Sequence, residues 1–75
     1  MLMNSSMKFS TAFREAMFRY ELRGSELSKR SGVSNAQISK FRSGQNITIA
    51  TLEKLLSAMP QEAREYMLTL VARGE

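Results

Sequence analysis

The sequence contains no cysteine, no histidine and no aspartate, and it has one proline. Its apolar runs are far shorter than the roughly 20 residues a membrane-spanning helix needs. The absence of cysteine excludes both a disulfide framework and a cysteine-based zinc site. The absence of histidine removes the usual general base and the commonest nitrogen ligand for metals. Seven glutamates remain as carboxylates, and their positions suggest no convergent pair. General acid–base catalysis and metal-assisted hydrolysis are therefore poorly supplied. We expect a protein that is not an enzyme and that holds neither cofactor nor metal. The N-terminus lacks the apolar stretch of a signal peptide, so a cytoplasmic location is expected.

What is present is a small, basic, amphipathic chain. Its 75 residues suit one domain, and domains of this size bury only about 60% of the surface their unfolded chains expose. The net charge of +4 is unevenly placed. Residues 19–44 hold six basic side chains (Arg19, Arg23, Lys29, Arg30, Lys40, Arg42) against two acidic ones, Glu21 and Glu26. Residues 45–75 hold three basic and four acidic groups. A basic excess on one stretch is the footprint of a phosphate-contacting surface, although a mixed solvated surface would read the same way.

The hydrophobic spacing is helical throughout and nowhere alternates as a strand would. Residues 1–9 carry little pattern and are expected to form a flexible arm, with residues 10–75 as the single domain. Ser10 or Thr11 can cap a first helix, in which Phe13, Ala16, Met17 and Tyr20 form one stripe. Phe18 falls off that stripe, as a shoulder of the core or as an exposed contact. A second, two-turn helix is predicted over about Gly24–Ser31, anchored by Leu27. It is too short to stand without packing. Gly32 suits a left-handed position just past its end, and Val33 plugs the turn. Ser34 opens a third helix as the first residue of a capping box closed by Gln37. Ile38 and Phe41 face inward from it, and Gly44 ends it. Thr48 caps a fourth helix with the stripe Ile49, Leu52, Leu55, Leu56 and Met59. Pro60 fits the first turn of a fifth, where its missing amide is harmless. Ala63, Tyr66, Met67 and Leu70 recur along that last helix. The fold class expected is all-α, a compact bundle of five short helices.

The spacing of Leu27, Ser28, Gly32, Val33, Ile38 and Phe41 matches two short helices crossing around a tight turn, a helix-turn-helix over about 24–44. An ordinary helical hairpin is the plainer alternative. The polar outer face of the third helix argues against burying it further.

From Phe13 to Leu70 the chain resembles the phage-repressor-like family of bacterial helix-turn-helix regulators, which includes the lambda and 434 repressors and Cro. The segment LSKRSGVSNAQISKFRSG carries most of the resemblance, and TIATLEKLL resembles the family's fourth helix. The resemblance implies a sequence-specific double-stranded DNA-binding regulator, a repressor, with the third helix in the major groove. Carried over to this sequence, base contacts fall on Asn35, Ala36 and Lys40, with Gln37 and Ser39 bordering them. Asn35 can pair with adenine, Lys40 with guanine or a phosphate, and Ala36 with a thymine methyl. Gln37 can read a base or close the capping box, and the cap is the favoured role. Arg23, Ser25, Lys29, Arg42 and Ser43 are the expected phosphate contacts. The family's usual glutamine at the start of the second helix is here Gly24, and Ser31 stands at a place usually apolar. Both departures imply a weaker second helix. The family also implies a homodimer on a two-fold operator. Tyr66, Met67, Leu70 and Val71 are the expected interface, unless all four pack internally. An antitoxin or accessory regulator acting mainly through a partner protein is the alternative.

Overall fold

Apolar positions at helical spacing build the core in a computed structural model that describes residues 8–74. Five α-helices form among them, α1 (Phe9–Arg19), α2 (Gly24–Ser31), α3 (Asn35–Arg42), α4 (Ile49–Ala58) and α5 (Gln61–Arg73). The expected flexible arm lies outside the described residues up to Met7, and Phe9 already belongs to α1. No helix among the described residues is long and apolar enough to cross a membrane.

The core is drawn from every helix. Ala12, Phe13, Ala16 and Met17 of α1 meet Ala63 and Met67 of α5, with Leu27, Val33, Ile38, Phe41, Leu55 and Met59 completing it. The fully buried alanines on α1 and α5 let those two helices lie along one another. The Phe13 and Phe41 rings meet with centroids 5.0 Å apart, tilted by 37°. That contact pins α3 to α1, and α2 packs between α3 and α4. Aromatic pairs in this geometry add about 1 kcal/mol beyond the area they bury. No buried side-chain nitrogen or oxygen among the described residues lacks a partner.

Three local expectations need correction. The first helix starts earlier than Ser10, with Lys8 at the N-cap and no side-chain cap. Ser10 is instead a buried residue inside the first turn, which has already begun where Ala12 N–H bonds the Lys8 carbonyl at 2.9 Å. Ile49 does not join the apolar stripe of α4, since it is 71% exposed at the helix start. Pro60 sits at the N-cap of α5 rather than inside its first turn, with φ −56° and ψ 148°. Its ring still costs no hydrogen bond there, since the N-cap amide lies outside the helical ladder.

The turns follow the residue chemistry closely. Gly32 closes α2 at φ 77°, and its N–H reaches the Ser28 carbonyl at 2.9 Å. The next amide, Val33 N–H, donates to Ser31 Oγ at 3.0 Å. Ser34 Oγ accepts from Gln37 N–H at 3.1 Å to open α3. Thr48 Oγ1 does the same for Thr51 N–H at 3.1 Å to open α4. The end of α1 is less conventional. Leu22 N–H reaches the Met17 carbonyl at 2.8 Å and Glu21 N–H the Phe18 carbonyl at 3.3 Å. This is the Schellman arrangement, with Glu21 at the left-handed position, φ 53°, where glycine is usual.

Candidate nucleic-acid interface

The polar face of α3 follows from which residues the core claims. Ile38 and Phe41 are buried, so the opposite side of this helix must face solvent. Ala36, Lys40 and Ser43 succeed one another at i, i+4 and i+7 on that side, with Ser39 beside them, and all four are exposed. Short side chains stand at the start of the helix and the cation stands a turn later. A backbone flanked by Ala36 and Ser39 can approach a neighbouring surface closely, while Lys40 reaches outward. Lys40 and Arg42 in the last turn also complement the negative end of the helix dipole.

Asn35 and Gln37 border this stripe on opposite sides. Asn35 lies against the start of α2, its Oδ1 only 3.7 Å from where a Cβ on Gly24 would stand. Gln37 faces the other way, toward the α3–α4 loop. It lines a shallow depression of about 470 Å³ together with Lys40, Gln45, Asn46, Ile47 and Thr48. Only half of the expected capping box forms. Ser34 caps the Gln37 amide, but the Gln37 side chain makes no hydrogen bond to a described residue. Its carboxamide is left with its donors and acceptor open on the surface.

The basic groups are not equivalent. Ser25 and Lys29 are one turn apart on the exposed side of α2, opposite Leu27, and Arg23 is exposed at its N-cap. Arg42 is exposed at the end of α3, where its carbonyl accepts from Arg14 Nη1 at 2.9 Å. Ser43 fits a phosphate-donor role poorly, because its hydroxyl already donates to the Ser39 carbonyl at 3.0 Å. Arg19 is diverted as well. Its guanidinium lies 5.0 Å from the Tyr66 ring centroid, a cation–π contact on the α1–α5 side.

Of the expected dimer residues, Met67 is drawn inward and the other three stay part-exposed. Met67 is fully buried and belongs to the core. Tyr66 stands edge-on to Tyr20 at 5.8 Å and carries Arg19 over its face. Leu70 and Val71 are half-buried and packed against the core.

Several residues with a role here were not singled out from the sequence. Arg14 ties α1 to the end of α3. Ser31, which seemed a weakness in α2, holds the turn through the Val33 amide. Gln45 and Asn46, read from the sequence only as loop, and Thr48, read only as a cap, join Gln37 and Lys40 around one depression.

Two short helices locked around a glycine turn, the second carrying a solvent-facing polar and cationic side, define a helix-turn-helix module. The pattern shared by the Helix-turn-helix family matches residues 19–66, close to two thirds of the chain. The chain belongs to that family, whose domain is typical of many bacterial regulators. No curated protein and no solved structure matches it.

Proposed function

We propose that this protein is a sequence-specific double-stranded DNA-binding repressor of the phage-repressor-like kind, acting in the cytoplasm as a homodimer. On this reading α3 enters the major groove, and Asn35, Ala36, Gln37, Ser39 and Lys40 meet base edges. Arg23, Ser25, Lys29 and Arg42 hold the phosphates on either side and set the register. Binding is the whole of its activity; no step of chemistry is required. The observation that carries the reading is the outer face of α3, which is fully solvent-facing, short-chained at its start and cationic at its end.

The test is a selection of bound duplexes from a random pool, followed by gel shifts on the enriched sequence. Lys40→Ala and Asn35→Ala should each weaken specific binding by about ten- to a hundredfold, as loss of one bidentate base contact does, with helical content unchanged. Unchanged specific binding in both variants would refute the major-groove assignment.

An antitoxin or accessory regulator is the second reading, and Phe18 favours it. This aromatic side chain is 84% exposed on the outer side of α1, a place with no part in the DNA face described above. Specific DNA binding by the chain alone separates the two readings.

A further inference from the structure

Phe18, the last residue but one of α1, is the most exposed large apolar side chain among the described residues, at 84%. Its ring meets no other ring and no cation among them. With Glu15, Met17, Arg19, Glu21 and Tyr66 it lines a shallow depression of about 680 Å³. Glu15 precedes Phe18 by three residues and is its neighbour on the helix surface. Glu21 follows by three, in the turn after the helix. Neither carboxylate has an ion pair or a side-chain hydrogen bond to a described residue. The nearby arginines are committed elsewhere, Arg14 to the Arg42 carbonyl and Arg19 to the face of Tyr66. In a chain of net charge +4, this spot joins a bare aromatic face to two unneutralised negative charges.

We propose that the patch docks an arginine-bearing segment of a different protein, its guanidinium over the Phe18 ring and its N–H groups donating to Glu15 and Glu21. A guanidinium matches both features of the patch. Its flat face stacks on an aromatic ring, while its donors lie at the edge and reach carboxylates beside that ring. An ammonium supplies the charge but has no flat face and holds its water more tightly. The chain already makes one half of this contact internally, with Arg19 5.0 Å from the Tyr66 ring centroid in the same depression.

Other occupants match the charge poorly. Nucleic acid and anionic lipid headgroups would meet two charges of their own sign. A second copy on a two-fold axis would bring Glu15 and Glu21 toward their own counterparts. The lining of the depression includes none of the residues assigned to DNA, so duplex and protein partner can be held together. The inference rests on the partner-protein reading above and names the chemistry of that partner.

The probe is a display library of random peptides selected on the immobilised full chain, with the enriched peptides remade in labelled form for fluorescence anisotropy. Arginine should be enriched in them. Phe18→Ser should weaken their binding by about tenfold or more, as loss of a central aromatic anchor does. Phe18→Tyr keeps the ring face and should retain most of the binding. Glu15→Gln, Glu21→Gln and exchange of the peptide arginine for lysine should each weaken it by about three- to tenfold. Far-ultraviolet circular dichroism should be unchanged in every variant. Enriched peptides that depend on Phe18 but carry no arginine would overturn the assigned chemistry and leave a plain apolar docking site. Equal binding to wild type and Phe18→Ser, or a library that yields no binder, would overturn the site itself. Sedimentation velocity tests the second copy, since wild-type self-association abolished by Phe18→Ser would give the patch to that copy and overturn the inference. Gel shifts on a duplex enriched from a random pool keep it distinct from the DNA reading. Lys40→Ala should lose specific duplex binding and keep the peptide, and Phe18→Ser should do the reverse. Loss of duplex binding in Phe18→Ser would place Phe18 in the DNA face and overturn the inference. If wild type binds no duplex specifically, the DNA reading fails and the peptides still decide the patch.

Discussion

Ser34 and Gln37 look like reciprocal partners in the sequence, yet only Ser34 caps. Its Oγ takes the Gln37 amide, while the Gln37 carboxamide bonds no described residue. The two side chains should therefore separate in experiment. Ser34→Ala should cost about 1 kcal/mol of stability, the usual worth of an N-cap. Gln37→Ala should stay within about 0.5 kcal/mol, as surface substitutions do, while weakening DNA binding. Urea denaturation of both variants checks this, and equal destabilisation would return Gln37 to the cap. Ser31 teaches the opposite lesson. Read against its family it is a polar intruder in α2, but its hydroxyl accepts the one turn amide that Gly32 leaves over. Spacing could not show this, because Ser31 meets that amide only once the backbone has turned at Gly32.

Among the helices, α2, α3 and the start of α4 were legible because each begins or ends on residues with one dominant backbone preference. Gly32 is left-handed at φ 77°, and Ser34 and Thr48 accept amide hydrogens three residues on. The ends of α1 were not legible. Its start carries no side-chain cap at all, and its end uses Glu21 where glycine is expected. A glutamate in that left-handed position costs about 1 kcal/mol relative to glycine. Glu21→Gly should raise stability by about that amount, seen as a higher urea midpoint. A decrease would show that the Glu21 side chain makes a contact worth more than the strain. The same turn joins the exposed Phe18 to α2, so the strain lies beside an exposed aromatic side chain.

At the scale of the whole molecule, the helices act as one body because α1 packs on both α5 and α3. It lies along α5, its Phe13 touches Phe41 of α3, and its Arg14 bonds the Arg42 carbonyl. The α3 face is thereby held by the core and needs no partner to be presented. The positive charge divides accordingly. Arg19 is turned to Tyr66, while Arg23, Lys29, Lys40 and Arg42 remain exposed along α2 and α3. If those four neutralise phosphates, the logarithm of the binding constant should fall with the logarithm of salt concentration with a slope of about −3.5 per bound chain. Fluorescence anisotropy with a labelled duplex across a salt series measures it, and a slope near zero would sink the phosphate assignment.

The sequence by itself determined the all-α class, the boundaries of α2 and α3, the turn between them and the identity of the residues on the outer face of α3. Those properties depend on periodicity and on capping chemistry, which act over three or four residues. Tertiary structure alone decided where the remaining apolar residues go. Met67 and Ile49 both occupy regular apolar positions of amphipathic helices, yet one is fully buried and the other 71% exposed. The difference lies in which helix happens to pass nearby. A helix lying alongside, as α1 does along α5, covers the stripe for its length, while Ile49 in the first turn of α4 stays exposed at the rim of a groove it shares with Phe9. A pattern of residues specifies that a face is apolar; only the packing of the other helices determines whether it is covered, and so whether it is core or a place for a partner.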